Sequence, residues 1–285
     1  MVIEAMDIDN LPLIGPGKIG AVEVEKDDLP VSKQDISNWY NDVVLFEIVK
    51  QTKGREIAFL GKNYYVRCIK AHSFSYLLHN LKGLGFFGHK LNMYYGLNRL
   101  QNMPQFSYNM KMRKDQQIKF KQNFEDYNKG LDIAMDFDAH NSKDFSLAYE
   151  EFKYICHFFE KEKVMFSPRF SGSGFHILIP SELVPEEMDW REFPQEFLKE
   201  IRSLFNLTSL DISTGDSRSL LKIPYSLDIN TGNICMPLDK EQLDNFDIKK
   251  MYFEKAKSMT LKNRGLMFRK GDRDTFKKFV SEYLW

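Results

Sequence analysis

The chain is poor in cysteine, in net charge and in long apolar runs, and each shortage removes a class of protein. Cysteine occurs only as Cys68, Cys156 and Cys235, with no C-x-x-C pair, in 285 residues. That scatter argues against a disulfide scaffold and suits a reducing compartment. Cys68 can be grouped on paper with His72, His79 and His89, but the spacings match no standard zinc module, so no structural zinc is expected. Lys plus Arg and Asp plus Glu both total 40, so the formal charge is zero. A nucleic-acid partner would have to be met by local charge rather than by a global positive field. No apolar run is long enough to cross a bilayer, and MVIEAMDIDN carries acids where a signal peptide needs Lys or Arg. The expectation is a soluble cytoplasmic protein with no membrane partner. No internal repeat or low-complexity tract is present.

What the chain does have is apolar and aromatic mass, 43% and 14% of its residues, enough for one large domain or two intimate modules. Residues 1–31, rich in Gly, Pro and acids, predict an extended arm or a weakly packed strand pair. Ser32 predicts an N-cap for a helix over SKQDISNWYNDVV, with Ile36, Trp39, Tyr40 and Val43 at helical spacing. REIAFLGKNYYVRCIKAHSF predicts a hairpin around GKN, and helical patterns follow at 73–82 and around 93–100. In residues 111–121, Lys111, Arg113, Lys114, Lys119 and Lys121 face a single Asp115. Such a run is either a solvated face or a strip that follows phosphates.

Chemistry concentrates in Leu131–His140, LDIAMDFDAH. As a strand it projects Asp136 and Asp138 on one side and Phe137 on the other. Two adjacent carboxylates repel unless a cation or a shared proton offsets them, and the natural cation is a hard one, magnesium or manganese. The plainer alternative is that Asp138 opens a turn and Asp136 is solvated. FSLAYEEFKYICHFFEKEK then predicts an amphipathic helix burying Phe145, Phe152, Ile155 and Phe159. VMFSPRF, the turn SGSG and FHILIP predict a second hairpin. A helix over about 189–205 leads to SLDIS, then to LLKIPYSL and a hairpin pivoting on NTG. Residues 247–285 are expected to be helical. Over 249–270, Lys249, Lys250, Lys255, Lys257, Lys262, Arg264, Arg269 and Lys270 oppose a single acid, Glu254. Strand, helix, hairpin, helix, strand around the acids predicts an α+β sheet with helices on one face, of the RNA-recognition type. The first 130 residues would form a partner module, with the site in the cleft between the two.

The turn at 171–176, SGSGFH, has small residues whose backbone N–H groups can approach a phosphate, with Ser171, Ser173 and His176 as donors; read alone, it is a glycine hairpin with a satisfied histidine. Asp211 in SLDIS is either a third carboxylate of a two-metal site or the cap of a turn. Lys222, with Arg218 behind it, would balance the charge of a triphosphate.

Taken in order, D-F-D, S-G-S-G-F-H, L-D, L-L-K-I-P-Y-S-L and N-T-G resemble the archaeo-eukaryotic primase superfamily over roughly residues 32–245. REIAF…YYVR is similar to the opening of primase catalytic small subunits, and LPVSKQDISNWYNDVV and KIPYSL to the polymerase domain of bacterial ligase D. The resemblance implies a primase catalytic core: an αβ module over about 32–130 packed on an RNA-recognition-motif-like module over about 131–245, then a basic helical segment, 246–285. It implies Asp136, Asp138 and Asp211 as catalytic ligands of two Mg²⁺ or Mn²⁺ ions. Ser171, Ser173, His176 and Lys222 are expected to contact nucleotide phosphates, together with Arg67, Arg218 and Tyr65 and with Glu56 near the same site. The implied activity is a DNA primase or polymerase that joins nucleoside triphosphates on a single-stranded or primer-template DNA. An end-joining repair polymerase, or a weakly active subunit that needs a large-subunit partner, are the alternatives. A sugar-nucleotide transferase using D-x-D is the rival enzyme class. Primase subunits usually carry basic residues in the turn where this chain has Ser173, a histidine where it has Asp228, and a zinc knuckle absent here. These departures predict strong extension and slow unaided initiation.

Overall fold

The computed structural model describes residues 31–284 apart from 62–63, 71–76, 79–80, 82–90, 102–107, 110–125, 139–141 and 257–270, and without the side chains of 61–70, 108–109 and 142–144. The predicted N-terminal arm, most of the helix at 73–82, the basic run at 111–121 and the Cys68 group lie outside what is described.

Ser32 caps α1 (Lys33–Trp39) as expected. Its hydroxyl accepts from the Asp35 amide at 3.1 Å while the Asp35 carboxylate accepts from the Ser32 amide at 3.0 Å. The predicted helix does not run on through Val43. Asn41 accepts from the Val43 and Val44 amides at 3.0 and 3.2 Å and starts α2 (Asp42–Gln51), so a second cap divides one predicted helix into two. β1 (Glu56–Gly61) and β2 (Tyr64–Lys70) form the expected hairpin. The helix predicted around 93–100 is instead two strands, β3 (Asn92–Gly96) and β4 (Asn98–Leu100). Leu91, Met93, Tyr95 and Leu97 are all buried, and that period of two prevails over a helical reading of the same apolar residues.

β5 (Tyr108–Asn109) pairs with β2, and β6 (Asn128–Leu131) pairs with β4. The acidic stretch is β7 (Ile133–Phe137), followed by α3 (Ser142–Lys161), β8 (Ser167–Phe170), β9 (Phe175–Ile179), α4 (Phe193–Phe205) and β10 (Leu210–Asp211). The helix predicted from 189 begins four residues later. Residues 189–192 make a turn in which the Phe193 amide bonds to Asp189 O at 2.9 Å, and Pro194 follows in the first turn. The sheet order β10-β7-β9-β8 sets the fourth strand beside the first and the third beside the second, the arrangement expected for strand, helix, hairpin, helix, strand.

That sheet has two unlike faces. Phe137 and Phe175 are directly opposed, and α3 lays Phe152 on both, at 5.9 and 4.8 Å between ring centroids. Ala148, Phe152, Ile155 and Phe159 form the buried stripe of α3, with Phe145 partly buried at its start. Alternation then turns Asp136 and His176 to the other face.

The chain crosses between sheets twice. β11 (Leu220–Lys222) pairs with β3 in the first sheet, although it follows the second in sequence, and β12 (Met236–Pro237) returns to pair with β8. α5 (Lys240–Asp244), α6 (Phe253–Ala256) and α7 (Arg273–Tyr283) complete the described chain. The C-terminal segment is largely helical where described, and α7 packs Phe276 and Phe279 against Phe197 of α4. Lys262, Arg264, Arg269 and Lys270 lie outside the described residues. Among the described residues no helix is long and apolar enough to cross a membrane.

A buried charge cluster joins the two sheets. Asp132 accepts from the Arg55 guanidinium, from Arg99 Nε at 3.2 Å and from the Ser181 amide at 3.0 Å, while Arg55 Nη1 also donates to Gly96 O and Leu97 O. Burial alone would raise the Asp132 carboxyl; the Arg55 and Arg99 charges overcome it and hold it below its ordinary value.

Candidate functional site

The face of the second sheet turned away from α3 carries a row of residues in mutual register. Asp211 of β10 stands opposite Asp136 of β7, Asp136 opposite His176 of β9, and His176 opposite Arg169 of β8. Directly opposed residues share a face with neighbouring Cβ atoms, so acid, acid, imidazole and guanidinium run side by side across four strands. His176 Nε2 lies 3.2 Å from Asp136 Oδ1, but without hydrogen-bond alignment. Asp136 Oδ1 and His176 Nδ1 are both buried with no hydrogen-bond partner.

Asp138 continues the same face one residue beyond β7. Its amide donates to Ser209 O at 3.0 Å, tying it to the segment that leads into Asp211. That segment is held from α3. Glu151 accepts from the Thr208 amide and hydroxyl and from the Ser209 amide and hydroxyl, at 2.6 to 3.1 Å. Asp211 itself caps the 3₁₀ turn Ile212–Gly215, its carboxylate accepting from the Ser213 amide and hydroxyl, each at 2.8 Å. The capping alternative for Asp211 is therefore realised in the structure.

The first sheet supplies the facing residues. Lys222 of β11 is in register with Tyr94 of β3. Burial raises the half-buried Tyr94 phenol, and the Asp136 charge adds to this. Lys222 is buried and its ammonium touches Asp228, also buried, in an ion pair. Burial pulls Lys222 down to about 8, against the opposing influence of Cys235 and Asp136. The two meet because Tyr225, at φ 69°, turns the chain between them in the left-handed region, where a non-glycine residue costs about 1–2 kcal/mol. Anchors on either side hold that turn: Trp39 Nε1 donates to Tyr225 O at 2.9 Å, and the Leu227 amide donates to Tyr40 Oη at 3.0 Å.

The turn between β8 and β9 rests on the same hairpin. Gly172 has φ 107°, and a Cβ there would meet Asp228 Cβ at 2.8 Å. At Gly174 a Cβ would meet Phe137 O at 2.5 Å. Thr231 Oγ1 and Asn233 Nδ2 both donate to Gly172 O. Ser171 is buried, and its Oγ accepts from the Ser173 and Gly174 amides, at 3.4 and 2.8 Å. Two of the amides expected to face a phosphate thus bond within the turn, while the Ser173 side chain is exposed.

The structure therefore brings together Asp136, His176 and Asp211, with Asp138 adjoining and Lys222 delivered from the opposite sheet. Arg218 is exposed and forks onto Asp216. The backbones of Tyr65 and Arg67 lie in β2, with their side chains outside the described residues, and Glu56 is fully buried in β1. Sequence reading missed Arg169, Tyr94 and Glu151. None lies in a motif, and only strand register and helix packing bring them to the site.

Hard carboxylate oxygens are the donors that Mg²⁺ or Mn²⁺ prefers, and the partnerless Asp136 Oδ1 is suited to such a cation. Among the described residues, however, no group of three or more His, Cys, Asp or Glu is gathered closely enough to hold a metal ion. The donor types fit; their convergence is not present in this arrangement.

No protein-family model matches the chain, and no curated protein matches it by sequence. By structure it is similar to the polymerase domain from Mycobacterium tuberculosis ligase D in complex with DNA. The TM-score is 0.50 at 12% identity, covering 88% of this chain and 89% of that one. The fold is similar to that of this polymerase domain, an α+β core of an αβ module packed on an RNA-recognition-type sheet.

Proposed function

We propose that this chain is a template-dependent nucleotidyltransferase, a primase-polymerase that joins nucleoside triphosphates on a DNA template. The observation that carries the reading is the register of Asp211, Asp136 and His176 on one face of the second sheet, with Lys222 supplied by the first. DNA as template is supported by the similar ligase D domain, whose structure is a DNA complex. Asp136, Asp138 and Asp211 would hold the two divalent cations, which when bound supply charge neutralisation and activation of a hydroxyl. In the transfer, the primer 3′-oxygen forms a bond to the α-phosphorus, the bond to the bridging oxygen breaks, and pyrophosphate leaves. The hydroxyl proton passes to a carboxylate or to solvent. His176 lies beside Asp136 to contact the phosphates, and Lys222 shares its charge between Asp228 and the triphosphate. The two sheets orient primer end and nucleotide and exclude water, where most of the rate gain of such reactions arises. The ligase D likeness favours an end-joining role as the second reading.

The test is primer extension with ribo- and deoxyribonucleotides in magnesium and in manganese. Replacing Asp136 and Asp138 together with Ala should abolish synthesis and leave the far-UV spectrum unchanged. Undiminished extension by that variant would remove the assignment. Extension across a broken end with a 3′ overhang, beyond that on a continuous template, would support the end-joining version.

A further inference from the structure

Two stretches that the sequence singles out, SKQDISNWYNDVV and LLKIPYSL, meet in the structure, although 186 positions separate Trp39 from Tyr225. Trp39 Nε1 donates to Tyr225 O at 2.9 Å, and Tyr40 Oη accepts from the Leu227 amide at 3.0 Å. Both rings are buried. A buried indole N–H or phenol is costly unless it is bonded, and here both bond to the backbone of one short segment, 225–227. That segment is the middle of the path from Lys222 to Asp228, which form a buried ion pair. Tyr225 passes through it at φ 69°, a left-handed conformation that a non-glycine residue keeps only where its surroundings hold it. On the other side the Tyr225 amide donates to Cys235 O at 2.6 Å and the Cys235 amide to Ser226 O at 2.8 Å. The segment is thus held between Cys235 and the joint of α1 and α2, where Trp39 ends α1, Tyr40 is its C-cap and Asn41 opens α2. Gripped from one joint, its two ends do not shift separately. Asp228 also lies against Gly172, so the seat of the turn between β8 and β9 follows the same segment.

We propose that Trp39 and Tyr40 are positioning residues of the site: acting through the segment Tyr225–Leu227, they set where Lys222 and Asp228 stand. A lysine placed in advance loses little freedom when a substrate arrives, and preorganisation of that kind raises affinity without any new contact. The joint between α1 and α2 thereby reaches the site from the far side of the first module. That the substrate is a nucleotide rests on the polymerase reading; the hold on Lys222 does not.

Trp39→Phe and Tyr40→Phe keep a ring and remove the polar tip. Cys235 and Cys156 are both free and buried, one in the held hairpin and one in α3. Peptide-resolved labelling of the full chain with a thiol reagent therefore separates local from global opening. Each variant should label Cys235 about fivefold faster, the scale of one lost hydrogen bond, with Cys156 at the wild-type rate. In primer extension KM for the nucleoside triphosphate should rise by about the same factor, with kcat changed less. A lower melting temperature with KM unchanged, or with both cysteines accelerated alike, would mean a merely structural role and overturn the inference. Ile36→Val, in the buried stripe of α1, is the control and should leave Cys235 labelling and KM as in the wild type; an equal effect there also overturns it. In a double-mutant cycle Trp39→Phe should raise KM less on an Asp228→Asn background than alone, and additive effects would refute action through the ion pair. Selective labelling of Cys235 in a chain that extends no primer would leave the hold on Lys222 standing and remove the polymerase reading. Extension with a KM insensitive to both substitutions would do the reverse.

Discussion

Asp132 lies at a junction that no motif marks. It has no exposed surface, yet it holds Arg55, Arg99 and the Ser181 amide at once, so it fixes how the two sheets meet. Removing one partner of a buried pair leaves the other charge uncompensated, so Asp132→Asn should cost about 3–5 kcal/mol in denaturant unfolding at neutral pH. The wild type should also be acid-sensitive through this group. Its folded carboxyl titrates below its ordinary 3.8, so the unfolded chain binds the proton more readily. The stabilisation is complete above that value and lost as pH falls through the folded one. Unfolding midpoints measured from pH 6 down to 2 should therefore fall less steeply in Asp132→Asn than in the wild type, and equal slopes would exclude Asp132 as a source of the acid sensitivity.

At the scale of elements, α3 does more than cover the sheet. Its apolar stripe lies on Phe137 and Phe175, while Glu151 holds the segment that carries Ser209 and Asp211 and that bonds the Asp138 amide. One carboxylate on a helix thereby sets two of the three candidate acids. Hydrogen bonds from the Ser209 and Thr208 hydroxyls and amides outweigh the effect of burial and hold the Glu151 carboxyl below its ordinary value. Glu151→Ala should reduce stability by only about 1–2 kcal/mol, the scale of a lost cap. Primer extension should fall by roughly tenfold or more, because small misplacement of a reacting group is costly. Glu151→Gln, which can still accept, should recover part of the rate. A variant that loses stability but keeps wild-type turnover would show that α3 supports the sheet without placing Asp211.

For the whole molecule, the same arrangement bears on starting a chain. An initiating nucleotide is held through its own triphosphate, without a duplex to orient it, so free cations matter most at that step. The charge of Lys222 is shared with Asp228, and the turn offers Ser173 where an arginine would add charge. Dinucleotide formation on unprimed single-stranded DNA should therefore be slower than extension, and manganese should favour it. Ser173→Arg should speed initiation, since Ser173 is exposed and a longer side chain fits. Asp228→His, by contrast, would set a second cation against buried Lys222 and destabilise the fold. Initiation as fast as extension in the wild type, unimproved by Ser173→Arg, would refute this account.

Local chemistry determined a good deal of this protein in advance. The Ser32 cap, the hairpin at 56–70, the acidic strand and the order strand, helix, hairpin, helix, strand are short-range patterns of periodicity and turn residues, legible without a neighbour. The resemblance of five ordered motifs pointed to the same core. The break at Asn41 and the strands at 92–100 were misread because two local preferences competed and burial decided between them. Only tertiary structure decided the rest. Register alone sets Asp211, Asp136, His176 and Arg169 in one row. A strand crossing to the other sheet brings Lys222 to face it, and a turn through the left-handed Tyr225 lies between Lys222 and Asp228, which pair. Pairings between residues tens of positions apart leave no periodic trace in a sequence, so the acidic strand and the glycine turn were legible as motifs, while Arg169, Tyr94 and Glu151 and the balance of charge around them were not.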